Sequence, residues 1–143
     1  KFLIKSGTDV NSLNRFNQSA LHEQTDPEVV EFLIDAGIDV NVCSSGFGTA
    51  LHPDEDYEIF ILNLHCVKLI IDAGADVNII SSYGRTPLHY QTDIEIVKLL
   101  IAAGVDVNKR DNRGETALNY AFKNGEVYNF LIANGAILGS LIK

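Results

Sequence analysis

The chain has no tryptophan, no methionine and only two cysteines among its 143 residues. Cys43 and Cys66 have no close-set partners, which excludes a disulfide framework and points to a reducing compartment, so the cytoplasm is the expected location. No run of Lys and Arg occurs and the net charge is −8, a balance that repels a phosphate backbone and excludes nucleic acid as an expected partner. Long hydrophobic runs are missing too. The most apolar stretch, Ile59 to Ile71, is interrupted by Asn63, His65 and Lys68 and falls short of a membrane span, and no signal peptide opens the chain. Neither a G-x-G-x-x-G nor a Walker pattern is present, so no phosphate-binding cofactor is expected. The absence of methionine, with an opening Lys1-Phe2-Leu3-Ile4 that reads as helix, leads to the expectation of a fragment of a longer chain. What is there, 46% hydrophobic and 21% charged residues, suits one soluble globular core and one domain.

A period organises the sequence. The string Leu33-Ile34-Asp35-Ala36-Gly37-Ile38-Asp39-Val40-Asn41 returns as Ile70 to Asn78 and as Leu100 to Asn108, and Leu3 to Asn11 is a fourth copy. A second string follows each: Ser19-Ala20-Leu21-His22, Thr49-Ala50-Leu51-His52, Thr86-Pro87-Leu88-His89 and Thr116-Ala117-Leu118-Asn119. The leucines of these strings are spaced 30, 37 and 30 residues apart.

Each segment has a physical reading. Val29, Val30, Phe32, Leu33 and Ile34 crowd one short span, as do Ile96, Val97, Leu99, Leu100 and Ile101, which predicts helices buried over most of their circumference. Gly37, Gly74, Gly104 and Gly135 stand where each helix stops, as C-terminal caps in the left-handed conformation. Thr25-Asp26-Pro27-Glu28 and Thr92-Asp93-Ile94-Glu95 match the Thr-x-x-Glu capping box at the helix starts. The Asp-Val-Asn segments and the glycine-bearing stretches after them, such as Asp111-Asn112-Arg113-Gly114, read as turns and short hairpins.

Thr-Pro-Leu-His, a buried helix, a glycine and Asp-Val-Asn in this order resemble the ankyrin repeat over essentially the whole chain. The resemblance implies an all-α solenoid of stacked helix-turn-helix units with projecting hairpin fingers. The units run over about 1–11 (partial), 12–41, 42–78, 79–108 and 109–143 (closing). It also implies a concave face of fingertips and first helices that binds a partner protein, from a chain expected to be monomeric. Two departures stand out. Leu21 to Gly37 and Leu88 to Gly104 each span 16 residues, about three fewer than the familiar repeat, so the first helix is expected to shrink to one turn. In the second finger Gly46-Phe47-Gly48 replaces the single glycine expected at position 47, where the first finger has Asn17. Asn tolerates positive φ and Phe does not, so an altered turn is expected.

Catalytic and metal readings find little support. His22, His52 and His89 hold the same position in successive units, roughly 10 Å apart in a stack, whereas ligands of one ion lie about 2 Å from it. The resemblance gives this histidine a hydrogen-bonding role that ties neighbouring loops together. Cys43 has no obvious base beside it, and His65, next to Cys66, points away on a helix. Asp54-Glu55-Asp56 lacks the alternating ligands of an EF-hand and reads as a helix N-terminal cap. No catalytic, cofactor or metal residue is assigned, and an enzyme is not expected. Function is therefore placed on the surface, at the fingertips: Arg15, Phe16 and Gln18; Ser45 and Phe47; Ser82, Tyr83 and Arg85; Asn112, Arg113 and Glu115. Aromatics and arginines dominate interface hot spots, and an exposed fingertip gives them no intramolecular task. The reading is a scaffold for protein–protein interaction. The alternatives are a targeting module of a larger enzyme or effector and a stoichiometric inhibitor of an enzyme.

The spacing of 37 places seven extra residues between His52 and Cys66. Seven residues are two helical turns and rotate a helix face by only about 20°. Ile59, Phe60 and Leu62 fall seven positions before Cys66, Val67 and Leu69, so one helix from about Tyr57 to Ile71 is expected, capped by Asp54 or Asp56. Tyr57, Ile59, Phe60 and Leu62 then either extend the core or form a second docking patch.

Overall fold

A computed structural model of the chain describes residues 9–22, 24–46, 48–52, 63–121 and 125–141. Among these residues the regular structure is helical, with an isolated antiparallel bridge between Ser44 and Gly48. The α-helices are α1 (Pro27–Asp35), α2 (Leu64–Asp72), α3 (Ile94–Ala102), α4 (Ala117–Tyr120) and α5 (Gly125–Ala133). Single 3₁₀ turns cover Pro87–Tyr90 and Gly139–Leu141. The chain forms two compact units, Lys1–Asp76 with α1 packed on α2, and Val77–Lys143 with α3 packed on α5 and α4 on the 3₁₀ turn at Pro87.

The predicted shortening of the first helix is present. Pro87–Tyr90 and Ala117–Tyr120 are single turns, and in the first unit the equivalent strings close with the amides of His22 and His52 donating to the carbonyls of Ser19 and Thr49. The side chain of the fourth residue folds back on each turn. The backbone amides of Ser19, Thr49 and Thr86 donate to Nδ1 of His22, His52 and His89 at 3.0, 3.1 and 3.1 Å, and Thr116 donates to Asn119 Oδ1 at 3.0 Å. These strings carry the reciprocal cap. The Thr-x-x-Glu boxes expected at Thr25 and Thr92 are corrected: the caps are Asp26 and Asp93, whose carboxylates accept from the amides of Glu28 and Glu95, which places each glutamate one position too early for a box.

The longer helix is corrected as well. Asn63 has extended backbone, φ −67° and ψ 124°, and its side chain accepts from the His65 amide, so a helix begins at Leu64 rather than running through from Tyr57. Asn63 thereby does what Asp26 and Asp93 do, at spacings of 37 and 30 residues, and α1, α2 and α3 are all nine residues long. The inserted residues precede the cap. Tyr57, Ile59, Phe60 and Leu62 lie outside the described residues.

At the other ends the glycine caps hold. Gly37, Gly74, Gly104 and Gly135 have φ of 83°, 92°, 87° and 83°. In α3 the amide of Gly104 donates to the Ile101 carbonyl and that of Val105 to Leu100, a paired closure that recurs at the other three caps and satisfies carbonyls the helix leaves open. Burial is narrower than expected. A stripe is buried in each helix: Val30 and Leu33; Cys66, Val67 and Ile70; Ile96, Val97 and Leu100; Val127 and Leu131. Val29 and Ile132 sit one position off the stripe and are exposed, and Phe32, Ile34 and Ile101 are half-buried, because a helix packed on one side covers only one face.

Between successive repeats runs a ladder of asparagines. Asn41 Oδ1 accepts from the Asp76 amide at 2.7 Å while its Nδ2 donates to the Gly74 carbonyl at 3.5 Å. Asn11 does the same for Asp39 and Gly37, Asn78 for Asp106 and Gly104, and Asn108 for Ile137 and Gly135. One carboxamide thus satisfies a cap carbonyl and an amide of the next repeat. At the C-terminal side Gly139 stands where this asparagine would be, packed so closely on Gly114 and Glu115 that a Cβ would collide with their backbone.

Candidate protein-binding surface

The fingers are small rigid loops. Their ends are closed by the amide of Asn14 donating to the Gln18 carbonyl, Ser44 to Gly48, Ser81 to Arg85 and Asp111 to Glu115, at 2.8 to 3.0 Å. Within three of them a side-chain oxygen grips the turn, and at one of these Ser81 Oγ accepts from the Tyr83 amide at 3.3 Å. Asn14 Oδ1 accepts from the amides of Phe16 and Gln18, and Asp111 Oδ1 from those of Arg113 and Glu115. Adjacent fingers are joined by the amide of Ser45 donating to the Phe16 carbonyl and that of Asn112 to Tyr83, with Asn112 Nδ2 donating to Ser82. Asn17 takes φ +57°, as its amide side chain allows, and Gly46 and Gly48 take +109° and +92° on either side of position 47, an altered turn.

On this frame the expected contact residues separate into two kinds. Arg15, Phe16 and Ser45 in the first unit, and Ser82, Tyr83, Asn112 and Arg113 in the second, are exposed. Phe16 and Tyr83 leave 49% and 47% of their surface in solvent, and the Arg15 guanidinium lies 4.8 Å from the Phe16 ring centroid. Gln18 is half-buried and bonded to Asn14, and Phe47 lies outside the described residues.

Arg85 is of the second kind, and the premise that it lacks an intramolecular task is corrected. Its side chain is only 14% exposed, its Nε lies 3.2 Å from Asp111 Oδ2, and its Nη2 donates to the Tyr120 hydroxyl. Rings of Tyr120, Tyr90 and Tyr83 surround the guanidinium at 4.4, 5.5 and 5.8 Å. Tyr120 in turn reaches Asp111 Oδ2 and Glu115 Oε2, each at 2.7 Å, so Glu115 is also committed inside the unit. Asp111 is buried, which alone would raise its pKa. Hydrogen bonds from Tyr120, from the amides of Glu115 and Arg113 and from Arg85 outweigh this and hold it at about 2. Burial likewise favours neutral Arg85, but its bonds to Asp111 and Tyr120 keep it firmly protonated, and burial with the two carboxylates pushes the Tyr120 phenol up. Sequence reasoning missed Tyr90, Tyr120 and the turn-gripping Asn14 and Asp111. The last two were signalled by a small acceptor recurring at one finger position: Asn14, Ser44, Ser81, Asp111.

His22 acts as a tie between repeats. With Nδ1 accepting a backbone N–H, the neutral ring carries its proton on Nε2, and that atom of His22 lies 3.2 Å from the Gly48 carbonyl of the next repeat. Burial lowers the pKa of His89 and keeps it neutral. Cys66 is buried in α2, its thiol pushed up by burial and by Asp26, while His65 beside it is exposed. Among the described residues no group of three His, Cys, Asp or Glu side chains could hold a metal ion, and no helix is long and apolar enough to cross a membrane. A cavity beside the first finger is lined by Ser12, Asn14, Gln18, Ser19, Ala20 and Gln24, none of which supplies a general acid or base.

The Thr-x-x-His lock, the glycine closure and the asparagine ladder, repeated along both units, coincide with the family comparison: a model described as ankyrin repeats in three copies matches residues 59–140. The chain belongs to the ankyrin-repeat family. No curated protein matches it. Ankyrin repeats mediate protein–protein interaction, and this ankyrin fold presents Phe16, Tyr83 and Arg113 on loops whose backbone is already bonded.

Proposed function

We propose that this ankyrin domain is a monomeric scaffold, cytoplasmic and without a catalytic site of its own, that binds a partner protein through its fingertips. The observation that carries the reading is the pairing of exposed Phe16, Tyr83 and Arg113 with finger backbones held by internal hydrogen bonds. Side chains displayed on a preordered loop give up little conformational entropy on binding, so each aromatic contact contributes nearly in full to affinity. Capture of partners from a lysate of the source cells, with the parent chain and with Tyr83→Ala and Phe16→Ala, tests it. Tyr83→Ala leaves every finger backbone bond in place and removes only the outermost ring contact to Arg85, so a partner held by Tyr83 is lost, by about 1 to 3 kcal/mol, while stability in urea changes by no more than about 0.5 to 1 kcal/mol. Partners retained equally by both variants would move the binding surface away from the fingers.

A further inference from the structure

The 3₁₀ turn Pro87–Tyr90 is the whole first helix of its repeat, and its backbone closes it with little: the His89 amide donates to the Thr86 carbonyl at 3.1 Å and the Gln91 amide to Leu88 at 3.4 Å. So short a turn does not hold itself. The lock is the His89 ring, whose Nδ1 accepts from the Thr86 amide and lies 3.1 Å from the Thr86 hydroxyl. Only a neutral imidazole can do this, because a protonated Nδ1 has no lone pair left for the amide. The surroundings oppose the charge. His89 is 4% exposed, and among the described residues its Nε2 makes no hydrogen bond, although the Glu115 carbonyl stands near the ring. Arg85 repels a second cation, Asp111 is already committed to Arg85 and Tyr120, and the Tyr120 ring stands edge-on to the imidazole with centroids 6.0 Å apart. The helix packed on this turn, α3, carries Glu95 and Lys98 outward as an exposed pair.

The turn that His89 locks also carries Tyr90. The Tyr90 hydroxyl lies 3.2 Å from Ser81 Oγ, which accepts the Tyr83 amide at 3.3 Å, so a short chain of contacts runs from the lock to an exposed fingertip. We infer that His89 is a proton-operated latch on this finger: protonation of its ring opens the Pro87–Tyr90 turn, withdraws Tyr90 from Ser81 and loosens the grip on Tyr83, weakening the hold on a partner bound there. The repeat that follows lacks the device. There Asn119 Oδ1 accepts from the Thr116 amide in the same way, and a carboxamide does not titrate in this range. The inference rests on the fingertip reading above for its consequence in binding. Burial lowers the His89 pKa, so the turn is closed at neutral pH, and each unit of pH below 6.5 shifts the balance toward the open, protonated turn by up to about tenfold.

Amide hydrogen exchange of the full chain, read by NMR between pH 7 and pH 5 and corrected for the intrinsic rate, tests the latch without a partner. The expected result is a fall in protection of about tenfold or more at the Thr86 and Tyr83 amides, while Thr116, held by Asn119, keeps its protection. His89→Asn should remove the response at both amides. Tyr90→Phe should leave it at Thr86 and abolish it at Tyr83, because the hydroxyl link to Ser81 is gone. Constant protection of Thr86 in the parent, the same fall in His89→Asn, or a Tyr83 response that survives Tyr90→Phe would each overturn the inference. Partner capture separates the two readings. If exchange behaves as expected but Tyr83→Ala captures partners normally, the fingertip reading falls and the latch stands; if Tyr83→Ala loses the partner while exchange is constant with pH, the latch falls and the fingertip reading survives.

Discussion

Replacing Asp111 by Asn isolates the charge at the centre of the second unit. The substitution keeps an oxygen for the amides of Arg113 and Glu115, so the finger turn retains its grip, but it presents an amide or a neutral oxygen to Arg85 Nε and Tyr120 where a carboxylate stood. A carboxyl held at about 2 instead of its usual 3.8 corresponds to between about 2 and 3 kcal/mol of stability at neutral pH. The Asp111 side chain is 1% exposed, so solvent screening removes little of this. Leaving the Arg85 guanidinium without its anion raises the cost toward about 3 to 5 kcal/mol. The sign with pH follows from the lowered pKa. The contribution is complete above about 4 to 5, where the carboxylate is charged in both states, and is lost as pH falls toward 2, where the folded parent protonates too. Urea unfolding of parent and Asp111→Asn at pH 7 and near pH 3 is the assay, and the difference between them should shrink at the lower pH. A difference that is absent at pH 7, or unchanged between the two, would refute the electrostatic account of this cluster.

Three further outcomes follow from the repeat. Gly104 has φ +87° and open space where a Cβ would stand, so Gly104→Val meets no clash but takes the left-handed cost of a β-branched residue, lowering the urea midpoint by more than about 1 kcal/mol of stability; an unchanged midpoint would refute the cap. Asn108→Ala removes the bonds to Ile137 N and Gly135 O, should cost about 1 to 3 kcal/mol and should expose the Ile137 amide to hydrogen exchange, which retained protection would contradict. Because burial lowers the His89 pKa below 6.5, its contribution is full above that value and is lost as pH falls below it, the unfolded chain then binding the extra proton. His89→Asn places there the side chain that already serves at Asn119, so the slope of stability between pH 7 and 5 should flatten in this variant, and an identical slope would exclude His89 as its source.

The elements legible in the sequence are those whose chemistry is complete within a few residues. A glycine after a nine-residue apolar stripe must be a cap, because its carbonyl partners lie three to five residues back, and Thr-x-x-His closes on itself through an amide three residues away. The Asn63 cap is equally local, but a seven-residue insertion that preserved helical phase concealed it, since periodicity alone does not say where a helix starts. The ladder from Asn108 to Gly135 and Ile137, and the burial of Arg85 against Asp111 and Tyr120, join residues 26 to 35 positions apart. Whether Arg85 is a fingertip contact or an internal ion depends on which side chain the next repeat brings opposite it, and only stacking decides that. The sequence by itself determined the repeat, its glycine caps and its turns; the tertiary structure decided which finger charges are spent inside the fold, at Arg85 and Asp111, and which, at Arg113, stay exposed.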